Sequence, residues 1–273
     1  MMTQLLYHMF LDRNLNSRDD GDCKRWNEYH ADHYTSHIKK SDPNLKIKMR
    51  GLKNLGNTCY FNVAIQAMTH VPPLAQHLML HEYTGLCSVT FEFQKVLRQL
   101  LVKGDETPAD PTELLGAFRE RFPQFEEKKQ HDAQEVILLF IDIFEKSIEL
   151  KVFNGVEGGQ PMTSLILPVT EPCSLGDLVE HHKVTTWPKI ISFTFSMYDH
   201  KFPIILPFSF LDRKLYSVVM HRGDAGEGHY ALCVRVKDNW YIKEDEKVFE
   251  LPCQIETMRG DWYMAFYRPE RSI

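Results

Sequence analysis

The spacing of apolar residues along this chain changes once, near Thr163, and that change constrains the fold more than any other feature. Before it, apolar residues recur at helical spacing. Phe61, Ala64, Ile65 and Met68 follow the i, i+3, i+4, i+7 rule, and Pro72-Pro73 ends the run. A second helix is expected around Phe93, Val96, Leu97, Leu100 and Leu101, and a third opens at Asp110 with Pro111 in the first helical position. The strongest pattern runs from Asp132 to Glu149, with Val136, Ile137, Phe140, Ile141, Phe144 and Ile148 on one stripe.

Beyond Thr163 the runs are short and of β type: Ser164 to Val169, Ile190 to Phe195, Tyr216 to Met220, His229 to Val236, Trp240 to Ile242 and Trp262 to Tyr267. Helices first and strands afterwards predict an α+β protein of two subdomains with a cleft between them. Residues 1–50 are polar, rich in histidine and weakly periodic, and read as an N-terminal extension ahead of a domain over residues 51–270.

Composition removes several classes of function. The formal net charge is -5 and there is no long run of Lys or Arg, so the electrostatic footprint of a nucleic-acid binder is missing. No apolar stretch approaches the roughly 20 residues needed to span a bilayer. The opening MMTQLLYHMFLDR meets Asp12 too early for a secretory apolar segment, so an intracellular protein, cytoplasmic or nuclear, with no membrane partner is expected. The cysteines Cys23, Cys59, Cys87, Cys173, Cys233 and Cys253 never form a CxxC pair, which argues against a zinc ribbon and leaves most of them as reduced core thiols. His30 with His33 and His181 with His182 lack a partner pair at ligand spacing, so no metal site is expected.

One cysteine stands apart. In GLKNLGNTCYFNVAIQ, Cys59 falls at a helix start, where backbone N–H groups and the helix dipole favour a thiolate. Gly51 and Gly56 let the preceding loop come close, and Asn54 offers an amide to a developing oxyanion. The competing reading is a buried helix-start cysteine beside a turn-forming asparagine. A base elsewhere decides between them. YSVVMHRGDAGEGHYALCVRV supplies His229 at the head of a strand, after a loop that Gly223, Gly226 and Gly228 are expected to make mobile. NWYIKEDEKV then places Glu244 and Asp245 just past another strand, where either carboxylate can orient the imidazole.

With these residues in view, GLKNLGNTCYFNVAIQ resembles the cysteine box of the ubiquitin-specific proteases, YSVVMHRGDAGEGHYALCVRV their histidine box, and QHDAQEVILLFIDIF their QDAxEF box. WPKIISFTF and DWYMAFYRP sit where that family has later sheet segments. The resemblance implies a papain-like cysteine peptidase fold: a helical thumb over residues 51–150, reduced fingers over 151–188 and a β-rich palm over 189–268. It also implies cofactor-free hydrolysis of the bond after the C-terminal glycine of ubiquitin. By position, Cys59 becomes the nucleophile, His229 the base and Asn54 an oxyanion donor, while His221 aligns with a family histidine that is not the base. Ubiquitin and ubiquitinated proteins are the implied partners. Asp132 and Glu135 match positions that contact arginines of ubiquitin's extended tail, with Gly228 and Tyr230 beside its channel. Asp132 and Glu135 also have the spacing of a capping box, which explains them without a substrate.

Two departures qualify the match. The family writes its third site W-x-x-F-D-D, whereas this chain has Trp240, Lys243, Glu244 and Asp245; counting from Trp240 favours Glu244, and a small register shift would favour Asp245. The zinc-binding CxxC pairs of the family's fingers are missing, so a zinc-free finger region and weak affinity for the globular body of ubiquitin are expected. The alternatives are a ubiquitin-binding pseudoenzyme and a protease for a ubiquitin-like modifier.

Overall fold

The structure, a computed structural model, describes residues 49–101, 107–125, 129–196, 202–224, 227–236, 239–251, 255 and 262–269. Nearly all of the expected extension, together with Gly226, Cys23, Cys253, His30 and His33, lies outside the described residues.

Five helices precede the main strands: α1 (Cys59–Thr69), α2 (Pro72–Leu80), α3 (Ser88–Leu101), α4 (Thr112–Arg121) and α5 (Ala133–Ile148). The proline pair that closes α1 also opens α2, a helix not anticipated from the sequence, because proline's fixed φ suits a first helical turn. At α4 the first turn begins one residue later than expected. Pro111 precedes it, and Asp110 Oδ1 accepts from the Thr112 N–H at 3.0 Å and hydroxyl at 2.6 Å. At α5, Asp132 Oδ1 accepts from the Gln134 N–H at 2.7 Å, and Glu149 closes the helix in the left-handed region at φ 56°.

The rest is mostly strand: β1 (Gly155–Glu157), β2 (Gln160–Met162), β3 (Leu165–Pro168), β4 (Cys173–Ser174), the short helix α6 (Leu175–Val179), β5 (Val184–Thr186), β6 (Ile191–Ser196), β7 (Ile204–Ile205), β8 (Ser209–Phe210), β9 (Arg213–Asp224), β10 (Glu227–Val236), β11 (Asn239–Glu244), β12 (Lys247–Leu251) and β13 (Trp262–Pro269). Among the described residues the main sheet runs β12-β11-β10-β9-β13-β6-β3 with β8 on β9, antiparallel except where β3 joins β6. Between α5 and β6, a small β2-β1-β5 sheet occupies the stretch expected to form reduced fingers. His182 Nδ1 and Glu157 Oε1 meet there at 2.5 Å.

Alternation along the strands makes two cores. On β10, Tyr230, Leu232 and Val234 face the helices, while Ala231 and Cys233 face a second core containing Trp240, Trp262 and Phe193. Helix α1 is buried at every residue and lies between α5 and the sheet. Phe61 holds its apolar side against Phe118 and Phe140, with ring centroids 5.1 and 5.6 Å away. Each such buried phenylalanine contributes roughly 1.5 to 3 kcal/mol, so the helix that starts at Cys59 is firmly seated. No helix of the described residues is long and apolar enough to cross a membrane.

Candidate active site

Cys59 is the first residue of α1 and is buried, with 3% exposure. Burial pushes its thiol pKa up. The backbone N–H groups of Tyr230, Tyr60 and Cys59 itself oppose the rise, and the nearby charge of Asp245 adds to it. The expected preference of a helix start for thiolate is therefore outweighed, because a charge taken out of water loses more than three N–H dipoles return. A thiol that rests protonated needs a base. The Tyr230 N–H reaching this sulfur brings the head of β10, with His229, against the start of α1.

Gly223 and Gly228 lie in paired strands rather than in the loop expected of them. Strands β9 and β10 stay paired to their ends, with Gly223 opposite Gly228, Arg222 opposite His229 and His221 opposite Tyr230. Gly223 adopts φ 106°, open to glycine at little cost. At Gly228 a Cβ would overlap the His221 ring, and the Gly228 N–H donates to Gln130 Oε1 at 2.9 Å. Gly228 thus serves close packing, and Gln130 pins the histidine hairpin to the approach to α5. His221 lies against Tyr230, ring centroids 4.4 Å apart.

The two acids separate. Glu244 ends β11, and its Oε1 lies 3.1 Å from His229 Nε2, without the alignment of a hydrogen bond. Asp245 sits in the following turn at φ 47°, and its carboxylate goes elsewhere. It accepts from Asn54 Nδ2 at 2.7 Å and Asn62 Nδ2 at 2.8 Å, while its carbonyl accepts from the Leu52 N–H at 2.8 Å. Gly51 permits this approach, since a Cβ there would collide with the Asp245 and Glu246 carbonyls. Asn54 Oδ1 in turn accepts from the Gly56 N–H at 2.9 Å, folding the loop ahead of Cys59 through Gly56 at φ 96° and Asn57 at φ 54°. One hydrogen of the Asn54 amide is taken by Asp245.

Asp132 is engaged twice within the protein, by the Gln134 N–H and by the Tyr263 hydroxyl at 2.6 Å. Glu135 stands exposed and makes no capping-box contact, so Asp132 alone caps the helix. Tyr230 is buried beside Tyr263, and burial pushes its phenol pKa up. Near the start of α5 an open hollow of about 320 Å³ is lined by Gln134, Leu138, Glu157, Met162 and Ile166 among others.

Four site residues escaped the sequence reading: Gln130, Asn62, Gln66 and Lys243. A signal for two of them existed. Asn62, Gln66, Thr69 and His70 repeat at i, i+4, i+7 and i+8 on α1, forming a buried polar stripe beside the apolar one. Among the described residues no cluster of three or more His, Cys, Asp or Glu could hold a metal ion.

Comparisons with known proteins identify the family and the fold. A family model described as ubiquitin carboxyl-terminal hydrolase matches residues 50–203 and 209–267. The human protein named ubiquitin carboxyl-terminal hydrolase 42 is 31% identical over 123 residues, which is 44% of this chain and 9% of that protein. Drosophila melanogaster ubiquitin carboxyl-terminal hydrolase Usp2 is 30% identical over 113 residues, 40% of this chain and 12% of that one. The chain therefore spans only a small part of these curated relatives. The solved SAGA Ubp8/Sgf11/Sus1/Sgf73 DUB module bound to ubiquitin aldehyde shares the fold, with a TM-score of 0.74 at 16% identity over 94% of this chain and 77% of that one. Because the family match extends from the loop ahead of Cys59 through the last strand of the sheet, this chain belongs to the ubiquitin carboxyl-terminal hydrolase family.

Proposed function

We propose that the chain is a thiol-dependent deubiquitinase that cleaves the isopeptide or peptide bond after the C-terminal glycine of ubiquitin. The observation that carries this reading is the meeting of three separate segments: Cys59 on α1, the His229–Glu244 pair on β10 and β11, and Asn54 held by Asp245. His229 removes the proton from the buried thiol, and the sulfur attacks the glycyl carbonyl carbon. The Asn54 amide and nearby backbone N–H groups receive the oxyanion. Collapse expels the amine with the proton from His229, and water then hydrolyses the thioester with His229 again as base. Glu244 orients the imidazole. Asp245 acts one step away, by holding Asn54 and Asn62.

For the substrate tail, Asp132 and Glu135 present carboxylates near the start of α5, and Gly228 and Tyr230 border the path to Cys59. Asp132 remains exposed while bonded to Tyr263, so capping and tail binding are compatible. The test is hydrolysis of a fluorogenic ubiquitin C-terminal amide by the native chain and by Cys59→Ala, His229→Ala, Glu244→Ala and Asp245→Ala. Turnover is expected in the native chain and lost in the first two variants. A native chain that binds ubiquitin without cleaving it would make the protein a ubiquitin-binding module. Labelling by a ubiquitin-like electrophile and not by ubiquitin's would change the substrate.

A further inference from the structure

Lys243 is a buried lysine directly behind the site, 5% exposed, on the helix-facing side of β11 opposite Leu232. Its Nζ donates to Gln66 Oε1 at 2.8 Å, and among the described residues no carboxylate pairs with it. Gln66 lies two turns beyond Cys59 on the same face of α1. The amide of Gln66 also donates to the Arg50 carbonyl at 3.2 Å, and its backbone carbonyl accepts from His70 Nδ1 at 2.7 Å. One glutamine therefore joins the nucleophile helix, the chain entering the Asn54 loop, and the strand whose next residue is Glu244.

We infer that Lys243 is a positioning residue of this active site: its contact with Gln66 fixes β11, and so the Glu244 carboxylate, against the helix that carries Cys59. An isolated ammonium in an apolar core is unfavourable for folding, and a methionine or phenylalanine would fill the same space without that cost. A polar contact that pulls a helix and a strand into one register gives such a lysine a use. The charged and titratable groups around it are His70 at the end of α1, which Arg268 of β13 also acts on, and Glu244 and Asp245 beside it in sequence. Burial brings Lys243 from 10.5 down to about 7, so the ammonium is present in acid and lost through neutrality.

The inference rests on the deubiquitinase reading and is tested with kcat and KM for the fluorogenic ubiquitin amide from pH 6 to pH 9. Lys243→Met is expected to lower kcat about tenfold at pH 6 with KM unchanged, since a small misplacement of catalytic groups is costly. Any part of the deficit that depends on the charge shrinks toward pH 9, while the part that depends on the hydrogen bond persists, because a neutral amine still donates to Gln66 Oε1. Gln66→Met removes the same contact from the other side and is expected to lower kcat likewise. Lys243→Gln keeps a donor without the charge and is expected to restore part of kcat, with a pH profile parallel to that of Lys243→Met. Equal kcat in the native chain and Lys243→Met at pH 6, or a Gln66→Met variant with native kcat, would overturn the positioning role. An inactive native chain would instead overturn the functional reading.

Discussion

Raising the pH from 7 to 10 is expected to stabilise this protein through Lys243. An unfolded chain keeps that lysine protonated to 10.5, whereas burial in the folded chain releases the proton at about 7. Between those values the unfolded state binds more protons, so stability rises with pH across the window. At about 1.4 kcal/mol per pKa unit, the destabilisation is about 4 kcal/mol at pH 7 and about 1 kcal/mol at pH 10. Lys243→Met removes it at both ends but leaves Gln66 Oε1 without its donor, at about 1 to 3 kcal/mol. The variant should therefore be more stable than the native chain at pH 7 by about 1 to 3 kcal/mol, and equal or less stable at pH 10. Urea unfolding of both proteins at pH 7, 8, 9 and 10 measures the two curves. Other groups titrate in both proteins and cancel in the difference. A difference that moves by less than about 1 kcal/mol over the range refutes the buried, unpaired ammonium.

Further outcomes follow from the same geometry. Gly51→Ala places a Cβ against two backbone carbonyls that cannot rotate aside, so it should cost about 1 to 3 kcal/mol in urea unfolding and lower turnover by detaching Asn54 from Asp245. An unchanged kcat there would show that the Asn54 loop does not depend on this packing. Asp132→Ala removes the N-cap of α5 and the partner of Tyr263, with an expected loss of about 1 to 2 kcal/mol by thermal melting. Alkylation of Cys59 by iodoacetamide in the free protein should keep rising to pH 9, because burial raises the thiol, whereas a plateau below pH 7 would reveal a resting thiolate.

Sequence legibility followed the range of the interactions. Helix α5 was readable within a residue at each end because its stripe and its Asp132 cap are local. Helix α2 was missed because its nine residues are weakly patterned and open on a proline pair that also signals a stop. Gly223 and Gly228 looked like parts of a loop, and only the pairing of β9 with β10 reveals them as strand residues. The sequence placed Cys59 and His229 as candidates but not the contacts around them, since Asn54 and Asn62 reach Asp245 across 191 and 183 residues. No local pattern encodes such a pairing. Burial was equally hidden, so the dipole argument for Cys59 had the right direction and the wrong winner.

The acid question shows why register had to be seen. Leu232 stands opposite Lys243 on the helix-facing side, so the next residue, Glu244, turns to the other face of the sheet, where its Oε1 lies 3.1 Å from His229 Nε2. Slipping the pairing by one residue would bring Asp245 to that face and send Glu244 toward the helices. The structure prevents the slip twice. Lys243 is held on the helix side by Gln66, and Asp245, turned out of the strand at φ 47°, is bound by two asparagines and the Leu52 N–H. Two adjacent carboxylates thereby come to different tasks, one beside the imidazole and one beneath the Asn54 loop. Loss of either acid should therefore slow turnover by a different route, and an Asp245→Ala variant as active as the native chain would dissolve that division.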